Sequence, residues 1–125
     1  MVLADGCFDP IHHGHIRYLV EAAKIGKPLV VRIAPDADIV AKGRKPYQTQ
    51  GERMRTVLSI GVVDCVREHP TLEAAIRDLR PRYLVKGIEW KDHLPDSVQQ
   101  ACQESGTQIV YVATREKSSS ERLSA

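Results

Sequence analysis

A chain of 125 residues with 42% hydrophobic and 27% charged side chains has the size and composition of one globular domain, 1–125, that can bury a core without disulfides or structural metal. Its formal charge of +2 is too small to imply a nucleic-acid partner, and its longest apolar runs, such as Leu29–Val31, are too short to cross a bilayer. Cys7, Cys65 and Cys102 are odd in number and widely spaced with no C-x-x-C pair, and no basic segment followed by an apolar one opens the chain, so a reducing cytoplasm is the expected setting.

Val2-Leu3-Ala4 reads as a short buried strand, and Ile16, Leu19, Val20, Ala23 and Ile25 recur at helical spacing up to Gly26, a helix stop. Between them stands Gly6-Cys7-Phe8-Asp9-Pro10-Ile11-His12-His13-Gly14-His15, which places His12, Gly14 and His15 at a helix N-terminus. Unpaired N–H groups and the positive end of the helix dipole favour an anion there. Gly14 lets a phosphate approach without a Cβ in the way, and two imidazoles add donors to it.

Leu29–Ile33 is the next predicted strand. Pro35–Gln50 has no periodicity and reads as a long loop of the kind usually reserved for function, carrying Lys42, Arg44 and Lys45. Helices are then expected over Gly51–Ser59, Leu72–Leu79 and Ser97–Ser105, with strands over Val62–Val66, Tyr83–Val85 and Ile109–Val112. This alternation predicts an α/β fold, a single doubly wound parallel sheet with right-handed crossovers. Its ligand crevice would lie at the carboxyl ends of the strands, where the histidine motif falls.

The H-x-G-H spacing resembles the signature of the nucleotidyltransferase superfamily, whose members transfer a nucleoside monophosphate from a triphosphate to a phosphorylated acceptor and release pyrophosphate. Gly6-Cys7-Phe8-Asp9 resembles that family's G-[TS]-F-D, with Cys7 in place of a hydroxyl residue. A thiol donates weakly, so a contact from position 7 is expected from its backbone N–H. The basic loop followed by Glu52-Arg53 resembles the cytidylyltransferase-like branch. Arg80 to Trp90 resembles R-P-x-x-x-V-K-G-x-D-[WY], with Glu89 for the aspartate, and Thr114 to Leu123 resembles R-T-x-G-[IV]-S-[ST]-[ST], with Lys117 for the glycine. In length and in its middle the chain looks most like glycerol-3-phosphate cytidylyltransferase and the heptose-phosphate adenylyltransferase domain.

The resemblance implies a Rossmann-like homodimer that uses Mg2+ to transfer CMP or AMP from CTP or ATP to a small polyol or sugar phosphate. His12, His15 and Lys42 would be catalytic, with Lys42 on the acceptor phosphate. Gly6, Cys7, Phe8, Gly14, Arg44, Gly87, Glu89, Trp90, Arg115, Ser118, Ser119 and Ser120 would bind the nucleotide. Asp9 would orient a backbone turn or help place the magnesium carried by the triphosphate. Attack on an α-phosphate builds negative charge, so catalysis would consist of positioning plus fixed positive charge.

Other readings are open to the same residues. Asp9-Pro10 also resembles the F-D-P of pantetheine-phosphate and nicotinamide-mononucleotide adenylyltransferases, and aminoacyl-tRNA synthetases carry a similar H-x-G-H element, although 125 residues leave no room for an anticodon-binding domain. A non-catalytic nucleotide sensor is motivated by Cys7, Lys117 and the short first strand, against which both histidines remain. A zinc site on His12, His13 and His15 is disfavoured, because adjacent histidines on a turn rarely converge on one tetrahedral ion and no fourth ligand has standard spacing.

Overall fold

The computed structural model describes residues 1–114. Five parallel strands, β1 (Val2–Gly6), β2 (Leu29–Ile33), β3 (Cys65–Arg67), β4 (Tyr83–Gly87) and β5 (Gln108–Val112), form one sheet in the order β3-β2-β1-β4-β5. The helices are α1 (His13–Ile25), α2 (Asp36–Ala41), α3 (Gln50–Leu58), α4 (Leu72–Leu79) and α5 (Asp96–Ser105), with a 3-10 turn at Ile88–Trp90. The doubly wound α/β expectation holds. Alternation along β1 sends Val2 and Ala4 into a core with Leu19, Ala22 and Val57 of α1 and α3. Leu3 packs the opposite way, with Val30 and Leu84, against Ala75 and Ile76 of α4 and Val98 and Ala101 of α5.

Three local expectations are corrected. The stretch Pro35–Gln50 is not loop throughout: it contains α2, whose first turn carries Asp36 and Asp38 at the positive end of the helix. Strand three begins at Cys65 rather than Val62. Val63 N donates to Ile60 O in a turn, and Asp64 is tied to Leu29 by its own N–H, donated to Leu29 O, and by its carboxylate, which accepts from Leu29 N at 2.7 Å. Strands one and four each run two residues past the apolar segments that announced them, through Asp5-Gly6 and Lys86-Gly87.

The chain reverses its direction of growth across the sheet between β1 and β4, and these strands separate. β1 pairs with β2 from Val2↔Leu29 to Gly6↔Ile33, but with β4 only at Val2↔Tyr83 and Leu3↔Leu84. Beyond that point the buried Tyr18 hydroxyl of α1 stands between the strands, accepting from Asp5 N at 3.1 Å and donating to Val85 O. One phenol thus replaces the ladder bonds lost where the crevice opens. Tyr18→Phe, which leaves both backbone groups without that partner, is expected to lower unfolding free energy by about 1–3 kcal/mol in urea titrations. An unchanged midpoint would show that the gap closes without the hydroxyl.

Candidate active site

At the carboxyl ends of β1 and β4 lies a cleft of about 1280 Å³. Its lining brings together Cys7, Asp9, His12, Gly14 and His15 from the first turn, Lys42 and Arg44 from the basic segment, and Gly87, Glu89 and Trp90 after β4. Arg115, Ser118, Ser119 and Ser120 lie outside the described residues.

The turn into α1 is capped by histidines in place of the usual hydroxyl and carboxylate side chains. His12 Nδ1 accepts from Gly14 N at 3.0 Å, and His15 Nδ1 accepts from His12 N at 3.1 Å. A reciprocal pair of this kind satisfies two donors that a helix start leaves free. It also sets the tautomer: each neutral ring that accepts at Nδ1 carries its proton on Nε2. The rings stack at 3.8 Å between centroids, and the edge of Phe8 supports His15 at 5.1 Å. Both imidazoles are therefore held as oriented Nε2–H donors.

Burial, with a smaller contribution from the charge of His12, pushes His15 down to about 4 from an ordinary value of 6.5. It is neutral at neutral pH, so the standing positive charge of the cleft comes from its lysines and arginines, Lys42 and Arg44 of the basic segment among them. The linkage has a definite sign. In the unfolded chain His15 takes up a proton as pH falls through 6.5, while the folded protein does not until about 4. Its contribution to stability is full above 6.5, declines between 6.5 and 4, and is flat below. Urea midpoints followed from pH 7.5 to pH 4 should fall more steeply for the wild type than for His15→Gln; parallel curves would contradict the depressed value.

Gly6, Gly14 and Phe8 act on the site by packing. A Cβ on Gly6 would lie 2.9 Å from the Phe8 ring, which is buried and folds back over it while the Phe8 backbone holds φ at 53°. That left-handed conformation is costly for a bulky residue and persists only where its surroundings hold it. A Cβ on Gly14 would press on the His12 ring at 2.9 Å and on Thr114 O at 3.3 Å. The space that Gly14 leaves is thus needed by His12 itself, besides any phosphate. At Gly87 a Cβ would meet the Glu89 carboxylate at 2.5 Å, where that group accepts from Thr114 Oγ1 at 3.1 Å. Cys7 makes a side-chain contact that its weak donor character did not suggest: its sulfur accepts from Lys42 Nζ at 3.3 Å.

Asp9 organises the basic segment. Its buried carboxylate accepts from Arg44 Nη1 at 2.7 Å, Tyr47 N at 3.0 Å and Gln48 N at 2.9 Å, while Arg44 Nη2 donates to Asp9 O at 2.7 Å. Burial pushes its pKa up, and these hydrogen bonds more than offset that, leaving the carboxyl below the usual range. The turn-orienting role fits, but the magnesium role does not: the carboxylate is fully buried beneath Arg44 and the N–H groups of Tyr47 and Gln48, so an ion could reach it only by displacing that segment. His12, His13 and His15 do not form a metal-ligand cluster among the described residues.

Residues to which the sequence reading gave no role in the site also hold it together. Arg53, fully buried on α3, donates from Nη1 to Cys7 O at 2.8 Å and Ala34 O at 2.7 Å, from Nε to Gln48 O at 3.3 Å, and from Nη2 to Asp36 Oδ1 at 2.5 Å. It joins the ends of β1 and β2 to α2 and the basic segment. Asp5, Arg32 and Lys86 form a further ionic group in the cleft. A lone arginine inside Leu-Val-Val-Arg-Ile was the legible signal for that group.

The model of the cytidylyltransferase-like family matches residues 3–124. The chain belongs to that family. Among its relatives, the bifunctional protein HldE of Desulfatibacillum aliphaticivorans is 33% identical over 129 aligned positions, covering 98% of this chain and 26% of that protein. A D-beta-D-heptose 1-phosphate adenylyltransferase of Bordetella bronchiseptica is 33% identical over 103 positions, covering 78% of this chain and 64% of that protein. The chain thus spans only 26% of this HldE relative and 20% of another from Photobacterium profundum. Within the cytidylyltransferase-like family these relatives fall in the heptose-phosphate adenylyltransferase branch that the motifs resemble. A lipopolysaccharide core biosynthesis protein from Thermoplasma volcanium shares the fold with a TM-score of 0.77 at 25% identity, over 92% of this chain and 97% of that one.

Proposed function

We propose that this cleft transfers a nucleoside monophosphate from a nucleoside triphosphate to the phosphate of a small sugar or polyol phosphate, releasing pyrophosphate. The name of the Bordetella bronchiseptica relative, an adenylyltransferase, favours ATP over CTP as donor. The observation that carries the reading is the pair of Nε2–H imidazoles at a helix N-terminus, in one cleft with Lys42 and Arg44. A helix start offers backbone N–H groups to an anion, and side-chain donors fixed before substrate arrives stabilise developing charge without reorganising.

In this mechanism an oxygen of the acceptor phosphate attacks the α-phosphorus as the bond to the β-phosphate oxygen breaks, and the electron pair leaves on pyrophosphate. His12 and His15 donate to the α-phosphate and the departing oxygen. Lys42 neutralises the acceptor phosphate during approach. Arg44, already fixed by Asp9, presents its remaining N–H groups to the nucleotide phosphates. Magnesium arrives as part of the substrate on the triphosphate, as is usual for an ion that keeps most of its water and uses phosphate oxygens as ligands. By family resemblance Glu89 and Trp90 are assigned to the nucleotide base, and a homodimer belongs to the same proposal.

A coupled pyrophosphate assay over a matrix of ATP, CTP, GTP and UTP against phosphorylated small molecules tests the reading. Pyrophosphate release that requires both partners is the expected result. Nucleotide binding without turnover for any acceptor would favour the sensor.

A further inference from the structure

The same face of the sheet carries two successive rungs of opposite character. The lower rung, Leu3, Val30 and Leu84, is apolar and lies beneath α4 and α5. Two residues further along each strand the rung is Asp5, Arg32 and Lys86, whose side chains are only 12%, 5% and 7% exposed. Arg32 Nη1 donates to Asp5 Oδ1 at 3.0 Å and Lys86 Nζ to Asp5 Oδ2 at 3.4 Å, so each carboxylate oxygen holds one cation. Arg32 is further anchored through Nε to His69 O at 3.0 Å and through Nη2 to Pro70 O at 2.8 Å. Taking three charges out of water is expensive, and an apolar rung like the one below would serve the fold alone.

All three residues line the cleft, on the side away from the histidines where Leu94 and Val98 supply apolar walls. Lys86 Nζ lies 4.5 Å from the Trp90 ring centre. Resting on the nucleotidyl-transfer reading, we infer that the Asp5–Arg32–Lys86 rung is the floor of the subsite for the non-phosphate part of the acceptor, and that it selects an uncharged, hydroxyl-bearing group.

The chemistry follows from what the rung has left to offer. Each Asp5 oxygen keeps a lone pair, and Lys86 keeps N–H donors. Adjacent hydroxyls, which donate and accept at once, satisfy both. A second anion on the acceptor meets Asp5 here and Asp38, whose carboxylate lies 3.7 Å from Arg32 Nη2. A wholly apolar tail leaves the charged floor without partners in a closed site, which is the costly outcome. Asp5 and Lys86 are thus specificity-determining groups, and Arg32 is the strut that positions Asp5.

Calorimetric titration of the full chain, saturated with a non-hydrolysable ATP analogue, tests this with three probes that share a phosphate: glycerol 3-phosphate, 3-phosphoglycerate and propyl phosphate. The wild type should prefer glycerol 3-phosphate to each of the others by at least about tenfold. Asp5→Asn, which keeps shape and loses charge, should shrink the preference over 3-phosphoglycerate to within about threefold. Lys86→Gln, retained in case Asp5→Asn does not fold, should instead widen the discrimination against 3-phosphoglycerate. Equal binding of all three probes, no binding of any, or variants that keep the wild-type ranking would overturn the inference. The analogue's own titration separates the two levels: if it binds and the ranking fails, only the subsite falls, whereas absence of analogue binding removes the nucleotidyl-transfer reading.

Discussion

His15→Ala should lower the rate of pyrophosphate release by a factor on the order of 10² or more, with the far larger part of the effect in kcat. The ring is supported by Phe8, stacked on His12, and fixed at Nδ1 by His12 N, so its Nε2–H is aimed before substrate binds. A donor that strengthens its bond as charge develops acts on the transition state more than on the ground state. The substitution also removes the acceptor for His12 N, a loss comparable to removing a helix cap, about 0.5–2 kcal/mol. Melting curves under assay conditions separate the two effects. A variant that stays folded and turns over at a near-normal rate would remove His15 from the mechanism.

Arg53→Ala should be the most damaging single change to stability, at about 3–5 kcal/mol in urea titrations. It takes away the partner of Cys7 O, Ala34 O and Gln48 O and leaves a void where a large side chain was fully buried. Arg53→Lys should recover only a fraction of this, because one ammonium on a flexible stem cannot span carbonyls from separate segments as a planar guanidinium does. Both variants should also raise KM for nucleotide, since the contacts at Cys7 and Gln48 set the relation between the histidine turn and the basic segment. A loss of less than about 1 kcal/mol for the alanine variant would mean that these carbonyls find water or other partners.

The layered architecture was legible in the chain because apolar, β-branched runs and helical periodicity are local patterns, and a strand-helix alternation permits few arrangements once parallel crossovers are right-handed. The histidine turn was legible for the same reason. His12, Gly14 and His15 are close in sequence, and their capping hydrogen bonds span no more than three residues. The short helix Asp36–Ala41 was missed because six residues with one buried side chain, Ile39, carry almost no periodic signal.

What the tertiary structure decided are relations between residues far apart in the chain. Asp9 could be read as a metal ligand or a turn organiser until Arg44, Tyr47 and Gln48 were found on its two oxygens. The last residues of β1 and β4 escaped the strand pattern because they are polar, and they are polar because the sheet splits there to make the cleft. Asp5, Arg32 and Lys86 lie 27 and 54 residues apart in sequence order, and only the strand order β2-β1-β4 sets them side by side. Periodicity along a chain reports which faces are apolar; which charges meet across a sheet depends on the order in which its strands pair, and no local pattern encodes that order.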